Sequence, residues 1–357
     1  MQDLKAEDLQ RMFTRDTVEA YQFFSRNIDF GDTATLRWHR RILRQARLVF
    51  VAFTMKLSPA RRVLYLGSLL ITLVGLFKLA GGAGMPDGTQ AVVAGFLLLN
   101  LLILLEVADR LSLKNDLEIA RDIQLAMLPH GLHRTETVET AGISRPANTV
   151  GGDFFDVIPL PDGRLVVALG DVAGKGSPAA LLMALLVAML RTLVETADEI
   201  PRDVSALASR LNKQVARHAP GNRFITLFVA FFDPSTNLLE YVNAGHTPPI
   251  LFRADGSHHR LLTGGVALGL FEGSTFTADR TSVGADDLLA MYSDGISEAE
   301  SPAGVPFDEE GLVRTIRAGS RADLQGLVST VVEAVGTHHG EARFADDLTL
   351  LLLRRIR

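Results

Sequence analysis

Asn148-Thr149-Val150-Gly151-Gly152-Asp153-Phe154-Phe155-Asp156-Val157-Ile158-Pro159-Leu160-Pro161-Asp162-Gly163-Arg164-Leu165-Val166-Val167-Ala168-Leu169-Gly170-Asp171-Val172-Ala173-Gly174-Lys175-Gly176-Ser177-Pro178 is the stretch that decides the fold. Pro161-Asp162-Gly163 is a turn signal, because Pro presets φ at one turn position and Gly tolerates positive φ at another. The turn joins two apolar runs, so the segment reads as an antiparallel hairpin. Asp153 begins the first strand and Asp171 ends the second, which places both carboxylates at one rim of a sheet. Like charges that close raise each other's pKa unless a cation joins them. A metal site is the natural resolution. A phosphate-binding P-loop is excluded, since it needs four residues between its first Gly and the Gly-Lys pair, with Ser or Thr after the Lys. Here Gly170 and Gly174 enclose three residues, and Gly176 follows Lys175.

Upstream, the chain changes character twice. Apolar residues make up 47% of its 357 positions, and mean hydropathy is +0.20; together these point to membrane segments. Met1 to Asp32 mixes charge with Phe13, Tyr21, Phe23 and Phe24, as short amphipathic helices do. It begins with acids and has no apolar core before a small-residue site, so it is not a signal peptide. Arg37, Arg40, Arg41, Arg44, Arg47, Lys56, Arg61 and Arg62 surround an apolar run, Leu48 to Met55, too short to span a bilayer and suited to an interfacial helix. Val63 to Ala80 carries only Lys78, and Ala91 to Leu105 is almost wholly aliphatic. Joined through the Gly-rich Gly81 to Gly88, they predict a two-span hairpin. Cations crowd its N-terminal flank while the connection carries only Asp87, which puts both ends in the cytoplasm. The competing reading is a buried hairpin of a soluble domain, or a dimer interface.

Glu106 to His130 is charged and amphipathic, with Leu113, Leu117, Ala120, Gln124 and Met127 at coiled-coil spacing, and Pro129 with Gly131 stops it. It reads either as a helix packed on its own domain or as a dimeric signalling linker. The organisation expected is residues 1–62 as a cytoplasmic or interfacial helical region, 63–105 as the membrane hairpin, 106–130 as the linker helix and 131–357 as one catalytic domain. In that domain, strand runs joined by tight turns alternate with amphipathic helices at Ala179 to Thr196, Asp203 to His218, Asp308 to Arg317 and Asp323 to Gly336. This predicts an α+β fold with two antiparallel sheets and helices outside them.

Acidic residues in this domain share a position. Asp153 starts a strand, Asp171 and Asp294 end strands, and Asp346-Asp347 precede the last one. Cysteine is absent and the net charge is −5, which excludes thiolate chemistry and gives no support for nucleic-acid binding. An oxygen-only ligand set suits Mg²⁺ or Mn²⁺, and such a pair of ions suits metal-dependent phosphoester hydrolysis.

Asn148 to Asp156, Gly170 to Gly176, Asn243-Ala244-Gly245-His246-Thr247-Pro248-Pro249, Ser293-Asp294-Gly295 and Asp346-Asp347-Leu348-Thr349 together resemble the motifs of one family. It is the SpoIIE/RsbU-type branch of the bacterial metal-dependent (PPM-type) protein serine/threonine phosphatases. Ile123 to Pro129 resembles its regulatory linker. The resemblance runs from about Leu111 to the C-terminus and implies an α-β-β-α sandwich holding two Mn²⁺ or Mg²⁺ ions. It implies that Asp171 bridges both ions with the Val172 carbonyl as a further ligand, that Asp153 binds one ion, and that Asp294 and Asp346 bind the other. Asp156 and Asp347 are candidates for supporting or water-mediated roles, and motif position favours Asp346 over Asp347 for direct ligation. The implied substrate is a phosphoserine or phosphothreonine protein, commonly a STAS-type anti-sigma-factor antagonist. Relatives in the wider superfamily carry a His where this chain has Ala173, so the proton for the leaving alcohol has no assigned donor. His246 reads first as a loop histidine bonded to backbone and second as a substrate-binding residue. Lys175 reads equally as a solvated turn residue or as a point charge for phosphate. The expected protein is therefore a phosphatase of the bacterial inner membrane, its catalytic domain cytoplasmic, dimeric through its linker. The alternatives are a silent phosphoprotein-binding module and a small-phosphoester phosphatase.

Overall fold

The computed structural model describes residues 38–80, 85–129, 133–195, 203–219, 223–319 and 323–356. The expected amphipathic helices before Asp32 lie outside the described residues. The chain divides into two compact units, one ending at Leu113 and the other beginning at Lys114.

The first unit is helical: α1 (Trp38–Lys56), α2 (Pro59–Ala80) and the first part of α3 (Met85–Met127). The segment read as span followed by linker is one unbroken helix. Pro59–Ala80 and Gly88–Met127 are both long and apolar enough to cross a membrane. Small residues line their mutual face. A side chain at Gly75 would meet Val92 and the Gly88 carbonyl at 2.8–2.9 Å, so the two backbones approach as only small residues permit. Arg61 reaches across to Glu106 at 2.9 Å and Asp109 at 2.6 Å.

The second unit is a four-layer sandwich. One sheet has the order β1-β2-β12-β11-β7-β8, built from His133–Arg134, Val138–Arg145, Leu348–Arg355, Leu288–Tyr292, Ile250–Phe252 and His258–Arg260. The other has the order β10-β6-β5-β4-β3, from Asp279–Ser282, Leu238–Ala244, Ile225–Asp233, Leu165–Val172 and Phe154–Pro159, with β9 (Gly264–Gly265) parallel to β6. Between the sheets lie Leu169, Phe228, Phe232, Leu289, Met291 and Leu351. The outer face of the second sheet is covered by α4 (Ser177–Glu195) and α5 (Val204–His218), and that of the first by α7 (Asp308–Ala318) and α8 (Leu324–His339). β4 is apolar at nearly every position because both its faces are covered. Helix α4 also matches a membrane span in length and composition, yet Leu182, Met183, Leu186 and Leu190 are buried in the domain core.

The opening hairpin forms as its sequence dictates. Phe154 pairs with Gly170 and Pro159 with Leu165, and Gly163 takes the φ of +87° its turn requires. Asp203 caps α5, its carboxylate accepting from the Ser205 N–H at 2.8 Å.

Candidate metal centre

Alternation along the strands sets which way each side chain points. In β4, Leu165, Val167 and Leu169 face the space between the sheets, and Asp171 continues that face. Phe155 in β3 does the same, and Asp153, two residues earlier, shares its side. In the other sheet, Leu289 and Met291 lie on the inner face, which leads to Ser293, and Leu351 and Leu353 lead back to Thr349. Ser293 then ties these strand ends together: its hydroxyl donates to the Asp347 carbonyl at 3.1 Å and accepts from the Thr349 N–H at 3.0 Å. Asp294 begins α6 (Asp294–Ser297), a single turn immediately after β11.

Asp153, Asp171, Asp294 and Asp346 are thereby gathered at one end of the sandwich, two from each sheet. Burial first, and then the Asp171 charge, holds the Asp153 carboxyl well above the usual range. Burial, with Asp294 and Asp346 opposite, pushes Asp171 up to about 6. Asp294 is raised by burial and by Asp346. The buried Asp153 Oδ2 has no hydrogen-bond partner among the described residues.

Such a group asks for a cation, and the surrounding backbone leaves room for one. A side chain at Gly152 would lie 2.9 Å from the Val172 carbonyl and 3.2 Å from Asp171 Oδ1, so these two oxygens border the same gap. All donors are oxygen, as hard divalent ions prefer. Among the described residues no three acidic or histidine side chains stand close enough together to hold an ion as they are. Lys175 is the nearby cation, at 2.9 Å from Asp346 Oδ2 and 2.6 Å from the Ala345 carbonyl.

Asp156, Asp347 and His246 take three different places. Asp156 stands apart from the group. It is 1% exposed and sits in the fork of Arg191, with Nε donating to Oδ2 at 2.8 Å and Nη2 to Oδ1 at 3.1 Å. Three residues from Asp153 along an extended chain, it points to the opposite face, toward α4. Asp347 is a clamp: it accepts the Ala147 N–H at 2.8 Å and the Gly152 N–H at 2.7 Å, which fixes the Gly-Gly turn under Asp153. His246 is buried. Its Nδ1 meets the Thr226 hydroxyl at 2.8 Å, its backbone N–H is held by Asn243 Oδ1 at 2.7 Å, and burial lowers its pKa to about 4. It is a neutral brace between β5 and the neighbouring loop.

Nothing in the sequence pattern points to Arg191 or Thr226, and Gln124 reads there as part of the coiled-coil seam. Gln124, buried on the last turns of α3, makes a reciprocal pair with Gly151: Nε2 donates to the carbonyl at 2.9 Å, and Oε1 accepts from the N–H at 3.2 Å. A polar residue on an apolar seam was the signal.

The fold is that of the PP2C-type phosphatase domain. It is similar to the SiaA PP2C domain of Pseudomonas aeruginosa, with TM-score 0.59 and 21% identity over 69% of this chain and 98% of that one. It is also similar to the PP2C domain of SpoIIE from Bacillus subtilis with a fragment of its regulatory domain, with TM-score 0.53 and 20% identity over 62% of this chain and 65% of that one. The family described as stage II sporulation protein E (SpoIIE) matches residues 161–356, and the chain belongs to it. By sequence it is 33% identical over 277 residues to protein IcfG of Synechocystis, which covers 71% of this chain and 43% of IcfG. It is 26% identical over 245 residues to the phosphoserine phosphatase RsbU of Bacillus subtilis, covering 68% of this chain and 71% of RsbU. The chain thus spans less than half the length of IcfG.

Proposed function

We propose that this chain hydrolyses phosphoserine or phosphothreonine on a protein, using two Mn²⁺ or Mg²⁺ ions, from a membrane anchor. The observation that carries the proposal is the gap at Gly152, bordered by the Val172 carbonyl and Asp171, beside carboxylates whose charges burial opposes. Asp153, Asp171, Asp294 and Asp346, with the Val172 carbonyl, would hold these ions. Bound there, the ions supply an activated water and neutralise charge on the phosphoryl oxygens. The chain's own residues hold the frame. Asp347 fixes the Gly151-Gly152 turn, Ser293 fixes the loop before Asp294, and Lys175 meets the phosphoryl group as a point charge at the exposed rim. His246 does not replace the histidine absent at Ala173, because it is enclosed and neutral. The departing alcohol takes its proton from water.

The resemblance to RsbU-type enzymes supports a STAS-type protein as the substrate. The α2–α3 hairpin, with cations on its N-terminal flank, supports an inner-membrane position with the catalytic domain in the cytoplasm. Exposed Leu113, Ile119 and Ile123 support pairing of two copies through the linker; Gln124 is engaged by its own domain instead. The test is hydrolysis of a phosphoserine peptide by the full-length chain in detergent, with and without Mn²⁺, beside Asp171→Asn. Metal-dependent turnover absent from the variant is expected. Turnover that needs no metal, or that survives in Asp171→Asn, overturns the proposal.

A further inference from the structure

Asp294 and Asp346 stand on two different loops. Asp294 opens α6, and the chain runs on from there to Glu300; Asp346 lies between α8 and β12. Both are beyond the paired residues of β11 and β12, so strand register alone does not space their carboxylates. The two loops meet backbone to backbone. A side chain at Gly295 would lie 2.8 Å from the Asp347 carbonyl carbon and 3.4 Å from that of Asp346. His339, the last residue of α8, touches both loops. Its Nδ1 lies 2.8 Å from the Glu300 carbonyl; a carbonyl only accepts, so Nδ1 carries the proton. Its ring lies flat on Phe344, with centroids 4.4 Å and planes 12° apart, and Phe344 comes two residues before Asp346. The histidine is 8% exposed, and its Nε2 has no hydrogen-bond partner among the described residues. A leucine would fill the space without enclosing a bare nitrogen. What the histidine adds is a donor for one loop and a flat face for the other. Arg343 and Lys175 also hold the second loop, donating to the Ala147 and Ala345 carbonyls at 2.8 Å and 2.6 Å. Those two side chains are exposed, where water competes for each partner.

We propose that His339 is a positioning residue: by tying the Glu300 loop to the Phe344 loop it sets the spacing of Asp294 and Asp346, and through it the affinity of the centre for Mn²⁺ or Mg²⁺. This role rests on the metal-dependent phosphatase reading and adds to it a residue that touches neither ion nor substrate. Groups that orient a metal's ligands are worth about ten- to a hundredfold in metal affinity.

The test is Mn²⁺ binding by isothermal titration calorimetry, on the full-length chain in detergent. His339→Ala loses both ties and should bind about ten- to a hundredfold more weakly than the wild type. His339→Asn keeps a donor where Nδ1 stands, and His339→Phe keeps the flat face, so each should fall between the two. Val335→Ala, one turn earlier on α8 and fully buried, removes core packing but neither tie. Its urea midpoint should fall while its Mn²⁺ affinity stays that of the wild type. Equal affinity in the wild type and His339→Ala overturns the proposal. So does a loss in Val335→Ala that matches the loss in His339→Ala, which would make His339 a stabilising residue only. Should circular dichroism show His339→Ala unfolded, His339→Asn and His339→Phe decide, and wild-type affinity in both overturns the proposal. A wild type that binds no Mn²⁺ overturns this role and the phosphatase reading together. A wild type that binds Mn²⁺ but hydrolyses no phosphoserine peptide counts against the phosphatase alone, since the affinities still test His339.

Discussion

Replacing Arg191 by Met should destabilise the phosphatase domain more than removing its partner does. Asp156 is 1% exposed, whereas the Arg191 side chain is 39% exposed. Without Arg191, a carboxylate remains enclosed between β3 and α4 with, among the described residues, only the Val157 N–H donating to it, at 2.9 Å. Breaking a buried pair from that side costs about 3–5 kcal/mol. For a domain of this size each kcal/mol lowers Tm by about 2–4 °C, so a fall of roughly 6–20 °C is expected. Arg191 also donates to the Met127 carbonyl at 3.0 Å, at the end of α3, and that bond is lost too. Asp156→Leu leaves an arginine that can turn to water, and should cost about 1 kcal/mol. The double variant should recover most of the loss, because no charge is then stranded. Urea unfolding of the four proteins at pH 7.5, followed by circular dichroism, measures this. Equal costs for the two single variants, or a double variant whose loss is their sum, would refute the reasoning.

Three other outcomes are expected. Gly152→Ala places a methyl group in the gap between the Val172 carbonyl and Asp171, so the rise in Tm that Mn²⁺ gives the wild type should disappear; a retained rise would mean that the ion binds elsewhere. The folded-state pKa of Asp171 is raised to about 6, so without metal the folded form binds the extra proton between about pH 4 and 6 and this group loses stability as pH rises through that window. His246, lowered to about 4, acts oppositely, losing stability as pH falls from about 6.5. Protons compete with metal at Asp171 and at the likewise raised Asp153 and Asp294, but not at His246, so the difference in Tm between Mn²⁺-loaded and metal-free protein should grow from pH 5 to pH 7.5; a flat difference would contradict the assignment. Gln124→Leu strands the buried N–H and carbonyl of Gly151; a stability loss of about 2–4 kcal/mol is expected by urea unfolding, and a loss under 1 kcal/mol would show that the pair contributes little.

What the sequence determined by itself was local. Pro161-Asp162-Gly163 between two β-rich runs dictates the hairpin, and the Asp153 and Asp171 carboxylates come together because a hairpin joins its own ends. Asp203 caps its helix through a neighbour two residues away, so that cap too is written in the chain. The outward turn of Asp156 was equally legible, since an odd offset from Asp153 along a strand reverses the face. Other features were decided only by tertiary structure. Val138–Arg145 has no clean apolar alternation, yet it becomes a strand because β12 supplies an eight-residue partner. The role of Asp347 depends on the Ala147 and Gly152 amides about two hundred residues away. Backbone donors are the same in every residue but proline, so no sequence pattern marks the ones a carboxylate will find. Enclosure likewise made His246 a neutral brace, because it depends on which surfaces the two sheets bring together. Strand ends place acids near one another; only the packed sheets decide which of them face the gap and which hold its walls.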